Sequence, residues 1–306
     1  MKVLIFGAGS TGRGHLGVLL YEYGIRDLVF VEKNQKLVDL LNKAQNYKVR
    51  YVGNKPGEVL VDSFKIYSYK DMDSIFKEFL EADLVITAVI AENLKDVALV
   101  IKQGLYEKYR NNSEKIQNIV ACENHGNASS YLKELVFEGT EKSFANFCDM
   151  TVGFPDAMIS RVVPVAIDDP LVITAENYNE WVIDALRFKG KRLDIPIIEI
   201  VNNLPARLEK KLWIHNGGHA TVAYAGFLKG YRYIHEAVAD CEIAKLAWDV
   251  MTEIGNVIIH KHGFDRHDIE EYKNDLVMRG SIAEIKDEIT RAVSYTHLTL
   301  PTIYSV

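Results

Sequence analysis

Lys2-Val3-Leu4-Ile5-Phe6-Gly7-Ala8-Gly9-Ser10-Thr11-Gly12 opens the chain, and its reading decides the fold. The first five residues are short, apolar and partly β-branched, as a buried parallel strand requires. A GxGxxG sequence follows at once, and Leu16, Leu19, Leu20 and Tyr23 then recur at helical spacing up to Gly24. Strand, glycine turn and helix in that order form the context in which GxGxxG binds a dinucleotide. Gly7 permits the tight turn, Gly9 lets backbone approach a pyrophosphate, and Gly12 lets helix pack on strand. The helix N-terminus, including Ala8, Ser10 and Thr11, presents N–H groups and partial positive charge to the phosphates. Glu32 ends a second buried strand, Leu28-Val29-Phe30-Val31, 20 residues after Gly12. An acidic side chain there suits the ribose hydroxyls and repels the extra phosphate of NADP, so NAD is expected over NADP; FAD is the weaker alternative because nothing later in the chain suggests an isoalloxazine site.

Outward from this unit the alternation continues. Leu37, Leu40 and Leu41 mark a helix, and residues 83–89 and 119–122 read as further strands with helical material between. The pattern predicts an α/β fold, a Rossmann-type doubly wound sheet with helices on both faces. Residues 47–69 read as a small strand-rich excursion. From Leu204 onward helical periodicity dominates, punctuated by Gly226, Gly230 and Gly255, so a mostly α-helical second domain is expected. The expected domains are 1–190 for the dinucleotide, 191–293 for substrate, and a tail at 294–306. That tail breaks the preceding charged pattern and reads like a translated sequencing adaptor, which implies that the natural chain continued beyond about residue 293.

Composition bounds the partners. At 306 residues, with 48% hydrophobic and 25% charged residues, the chain is an ordinary globular protein large enough for two domains. A net charge of -6 and a pI near 5.9 give no basic footprint for nucleic acid or an anionic membrane. No apolar run is long enough to span a bilayer, and no leader is evident, so a cytoplasmic setting is expected. Cys122, Cys148 and Cys241 form no CxxC pair and read as buried free thiols.

The second half carries one chemical signal, Lys211-Leu212-Trp213-Ile214-His215-Asn216-Gly217-Gly218-His219. On a helix at about 100° per residue, Asn216 lies roughly 140° and His219 roughly 80° from Lys211, on one broad face. A desolvated lysine can take a hydroxyl proton as hydride leaves, and Asn216 and His219 can hydrogen-bond the oxygen as it becomes a carbonyl. The plainer reading is a solvated Lys211 with Asn216 as a cap before a glycine break. Zinc is the competing chemistry, since His215 and His219 are four apart, but the glutamate of HExxH is absent. His260, His262 and His267 read as surface residues, and no metal is expected.

These residues resemble the polyol-specific long-chain dehydrogenases of the mannitol dehydrogenase family. The resemblance runs through Gly7 to Gly14, Ala121 to Asn124, Val152 to Pro164, Ala175 to Val182 and Asn203 to Gly230, covering nearly the whole chain to about residue 292. It implies a Rossmann-type domain plus a helical domain with the active site between them, and NAD as cofactor. Lys211 matches the catalytic lysine, Asn216 and His219 its carbonyl-orienting partners, and Asp156 a polar residue near the substrate oxygen. Ala88 and Asn124 complete the implied cofactor-binding set. The reaction implied is the metal-free interconversion of D-mannitol 1-phosphate and D-fructose 6-phosphate, by a monomer or small oligomer. Ser160, Gly217 and Asn202 depart from the usual residues and bear on the choice of sugar. Arg161, Arg207 and Lys210 are candidates for the phosphate. The rival readings are a hexuronate or unphosphorylated polyol dehydrogenase of the same family, and an NAD-binding regulatory protein without chemistry.

Overall fold

Alternation in β1 (Lys2–Phe6) sends Val3 and Ile5 to one side of a sheet and Leu4 and Phe6 to the other. All four side chains are fully buried, so both faces of the strand need cover. The computed structural model, which describes residues 1–123, 126–164, 169–193 and 195–291, supplies it. The π-helical turn Gly12–Gly17, continued by α1 (Val18–Glu22), and α2 (Gln35–Ala44) bring Leu16, Leu19, Leu20, Val38 and Leu41 against Val3 and Ile5. On the other face α3 (Met72–Glu81), α4 (Leu94–Arg110), α5 (Ala128–Phe137) and α6 (Lys142–Thr151) bring Phe79, Val97, Ile101, Leu132 and Phe144 against Leu4 and Phe6.

The other strands of the sheet are β2 (Asp27–Glu32), β5 (Phe64–Ser68), β6 (Leu84–Thr87), β7 (Gln117–Ala121) and β8 (Val152–Gly153). They pair in parallel in the order β5-β2-β1-β6-β7-β8. The chain leaves β1 toward β2 and returns on the other side as β6, which makes the β1/β6 boundary a topological switch point. Ligands of doubly wound sheets bind outside the carboxyl ends of the strands at such a point. The reading of residues 47–69 as one excursion is corrected here. Only β3 (Tyr47–Val52) and β4 (Gly57–Val61) leave the main sheet, β3 pairing with β4 on one side and β10 (Val172–Glu176) on the other, whereas β5 is the main sheet's edge strand. Phe64 stacks edge-on against Phe30, an anchor set by a strand distant in sequence. A third small sheet joins β9 (Ala157–Ser160), β11 (Glu180–Asp184) and β12 (Ile198–Val201), with Trp181 buried in it.

Two compact units result. One comprises Met1–Tyr51 with Pro56–Leu204, so β12, beyond residue 190, lies in it. The other comprises Val52–Lys55 with the chain from Pro205. The second unit is helical: α7 (Leu204–Glu209) begins at the boundary, a π-helical segment Lys210–Asn216 follows, then α8 (Gly217–Leu228), α9 (Ile234–Val238), α10 (Cys241–His262) and α11 (Arg266–Gly280). Asp240 and Asp265 cap α10 and α11 by accepting backbone N–H bonds, and Gly263 in the left-handed region ends α10. Gly255 does not interrupt α10; it lies inside the helix, where a Cβ would stand 3.0 Å from Ile269 of α11. Cys122 and Cys148 are buried, but Cys241, the first residue of α10, is exposed. No helix among the described residues is long and apolar enough to cross a membrane. The tail at 294–306 lies outside the described residues.

Candidate active site

The glycine loop leaves β1 at the switch point. Gly7 has φ +100°, and a Cβ there would meet the carbonyl oxygen of Ala88 at 2.3 Å, so no other residue fits. At Gly12 a Cβ would come within 1.9 Å of the Gly7 carbonyl oxygen, which is the close helix–strand approach the motif requires. Gly9, in contrast, has nothing within 4 Å of a notional Cβ: the loop is open at that one point. Ala88 sits beside the loop, its N–H donating to the Phe6 carbonyl at 2.8 Å. Ser10 is also held, its Oγ donating to the Pro164 carbonyl at 3.1 Å, and Thr11 already has helical backbone angles.

Glu32 is not an idle surface acid. Its Oε2 accepts from the Ala8 N–H at 2.8 Å and its Oε1 from the Asn34 N–H at 2.9 Å, so it fixes the loop from the end of β2. A carboxylate has about four lone-pair sites, which leaves room for two ribose hydroxyls. Arg13, missed in the sequence, braces the loop from below. Its side chain is 3% exposed, donates from Nε to the Ala8 carbonyl at 2.6 Å and from Nη1 to Pro170 at 2.8 Å, and lies over the Tyr47 ring. Burial lowers its pKa from the ordinary arginine value. The visible signal was an arginine directly after the third glycine.

Asn124 lies outside the described residues. Its neighbour Glu123, also missed, closes the crevice between the ends of β6 and β7. Glu123 Oε1 accepts from Thr87 Oγ1 and from the Val89 N–H, both at 2.9 Å. Burial pushes its carboxyl up to about 7 against the pull of those two donors. Its folded-state value lies above the unfolded one. The stability it contributes is therefore complete below its ordinary 4.5 and lost as pH rises through about 7. Between about pH 5 and pH 8, Glu123→Gln is expected to gain stability relative to the parent by on the order of 3 kcal/mol. Urea unfolding at both pH values checks this, and an identical pH dependence in the two proteins would refute it.

In the second unit Lys211 is 8% exposed, so the solvated reading of this lysine is corrected. The segment Lys210–Asn216 is π-helical, so the arithmetic at 100° per residue does not apply to it. Nor does the glycine pair break the helix. Asn216 has helical angles and its side chain makes no cap, while α8 continues directly from Gly217. A Cβ at Gly218 would stand 2.7 Å from the Met251 sulfur, so that position serves the close packing of α8 on α10. His215 has an enclosed Nδ1 with no hydrogen-bond partner among the described residues. Burial first, and then the charges of Arg279, His219 and Lys211, hold it well below the ordinary histidine range. Lys211, Asn216 and His219 thus share one helical run, with Lys211 and His219 both acting electrostatically on His215 between them.

His219 has a partner that sequence reasoning missed: Asp287 Oδ2 lies 2.9 Å from its Nε2. Among the described residues no group of three or more His, Cys, Asp or Glu is arranged to hold a metal ion. His260 and His267 are exposed, but His262 is half-buried and bonded to Glu209 at 2.7 Å. Asp156, 4% exposed, belongs to the first unit. It is held there by the Ser130 N–H at 2.9 Å, by the Ser130 hydroxyl and by Arg187 at 2.7 Å. Arg161 is also in the first unit, bonded to the Tyr178 and Gly14 carbonyls and lying over Tyr51. Two of its five N–H donors are used in these bonds. Lys210 lies 4.1 Å over the Tyr272 ring, and Arg207 lies 6.0 Å from the centre of Phe264.

Residues 1–197 match the mannitol dehydrogenase Rossmann domain, and residues 203–298 match the mannitol dehydrogenase C-terminal domain. The chain belongs to the mannitol dehydrogenase family. By family it is a dehydrogenase. The mannitol-1-phosphate 5-dehydrogenase of Clostridium acetobutylicum is 35% identical over 294 residues, which are 95% of this chain and 76% of that protein. That of Lactiplantibacillus plantarum is 36% identical over 288 residues, 94% of this chain and 74% of the relative. Among solved structures, the Pseudomonas fluorescens mannitol 2-dehydrogenase ternary complex with NAD and D-mannitol superposes with a TM-score of 0.80 at 18% identity. It covers 95% of this chain and 71% of that one, a likeness of fold. The family's two-domain organisation, Rossmann sheet then helices, is that of the two units.

Proposed function

We propose that this chain interconverts D-mannitol 1-phosphate and D-fructose 6-phosphate with NAD, using Lys211 rather than a metal ion as general acid and base. The observation that carries the chemistry is a nearly buried lysine on the same helical run as Asn216 and His219. Two relatives named mannitol-1-phosphate 5-dehydrogenase, at 35% and 36% identity, support the choice of sugar. The cofactor is NAD, and the loop fits it. Gly9 leaves space for a pyrophosphate, the helix N-terminus faces that space, and Glu32 offers a negative charge unfavourable to NADP. When bound, the nicotinamide accepts or returns a hydride.

On oxidation Lys211 Nζ takes the proton of the reacting hydroxyl as its carbon loses hydride, and on reduction it returns that proton to the alkoxide. Asn216, through its amide N–H, and His219 hold the same oxygen, whose negative charge grows in the transition state. The phosphate candidates are Arg161, Arg207 and Lys210. The test offers fructose 6-phosphate, fructose and fructuronate separately with NADH and follows absorbance. Oxidation with the phosphorylated sugar alone supports the proposal. Turnover of another sugar keeps the lysine chemistry and changes the substrate, and NADH binding without turnover of any sugar overturns the proposal.

A further inference from the structure

Asp287 lies in a charged stretch that carries no motif, yet the backbone around it is tied down by three contacts. Its backbone carbonyl accepts from the Ile234 N–H at 2.9 Å, Ile289 N–H donates to the Arg232 carbonyl at 3.0 Å, and Tyr233 bridges Glu288. The segment is therefore pinned to the start of α9 before its side chain is placed. The carboxylate is 10% exposed and both oxygens are used: Oδ1 by Arg291 Nε at 2.9 Å and Oδ2 by His219 Nε2 at 2.9 Å.

We infer that Asp287 is the positioning residue of His219, fixing its ring so that Nε2 carries the hydrogen and Nδ1 is the atom offered to the sugar oxygen. This rests on the reading above, in which His219 meets that oxygen. An ionised carboxylate only accepts, so the ring nitrogen facing it has to be the donor. Burial pushes the Asp287 carboxyl up, but the His219 hydrogen bond and the Arg291 charge more than offset it and hold the group below the ordinary aspartate value. It stays ionised at neutral pH. With Nε2–H given to Asp287, a ring that carries a second proton donates from Nδ1 to the reacting oxygen, the form that matches the negative charge growing there. Without the carboxylate the imidazole is free to turn or exchange tautomers, and Nδ1 is no longer fixed toward that oxygen.

Two measurements on the full chain test this. In nitrogen-15 NMR at neutral to alkaline pH, the ring signals lost in His219→Gln are expected to be those of an Nε2–H tautomer. An Nδ1–H tautomer overturns the assignment, whether or not any sugar is turned over. In kinetics, Asp287→Asn is expected to lower kcat/KM about tenfold or more with NADH affinity unchanged within about twofold. On a His219→Gln background the same substitution is expected to cost less than about twofold, because its route of action is already gone. An equal loss in both backgrounds would make Asp287 a structural tie and overturn the inference.

Discussion

Lys211→Ala is expected to lower kcat by two to four powers of ten, the range about 10²–10⁴ that a positioned acid or base contributes. KM for the sugar and the affinity for NADH should change little, since the proton transfer, rather than ground-state binding, is what is removed. Lys211→Arg is expected to be nearly as inactive despite keeping the charge, because a guanidinium does not release its proton in the working pH range. Small primary amines added to the alanine variant should restore part of the rate. Steady-state kinetics with NADH titrated by fluorescence checks all of this. An arginine variant that retains a tenth or more of the parent rate would show that charge alone is needed and would sink the acid–base role.

The second large effect separates two glycines of one loop. Gly12→Ala places a methyl within 1.9 Å of the Gly7 carbonyl oxygen, a backbone atom that cannot move aside without displacing the loop from β1. Overpacking at such a point costs about 1–3 kcal/mol or more, so a clear fall in melting temperature and loss of NADH binding are expected together. Gly9→Ala meets nothing within 4 Å and should melt like the parent. Its methyl nevertheless projects where a pyrophosphate would lie, so its NADH affinity should drop by at least about tenfold. Thermal melts with and without NADH resolve the two cases. Normal NADH binding in Gly9→Ala would remove the loop from its assigned role.

Much of the first unit was legible because its signals are local. A buried strand followed by three spaced glycines admits few structures, and Glu32 follows at a fixed distance. What was not legible depends on partners far along the chain. Whether Phe64–Ser68 joins the main sheet is decided by its register with β2, not by its composition. The π-helical segments at Gly12–Gly17 and Lys210–Asn216 shift hydrogen bonds by one residue, which leaves no mark in apolar periodicity. Lys211, Asn216 and His219 are candidates picked out by type and spacing, but Asp287 is 68 residues from His219 and sits among ordinary charges. Glu123 looked like any glutamate until the ends of β6 and β7 enclosed it.

The guanidinium of Arg13, held between the Ala8 and Pro170 carbonyls and under the glycine turn, bears on how tightly a dinucleotide is held. Ordering one residue of backbone costs about 1–2 kcal/mol, and a floppy loop would subtract that from the affinity at every binding event. Here the Arg13 bonds hold the turn before any ligand arrives, so part of that ordering belongs to folding. A turn braced in advance carries a smaller ordering cost into association, which is the general route by which preorganisation raises affinity.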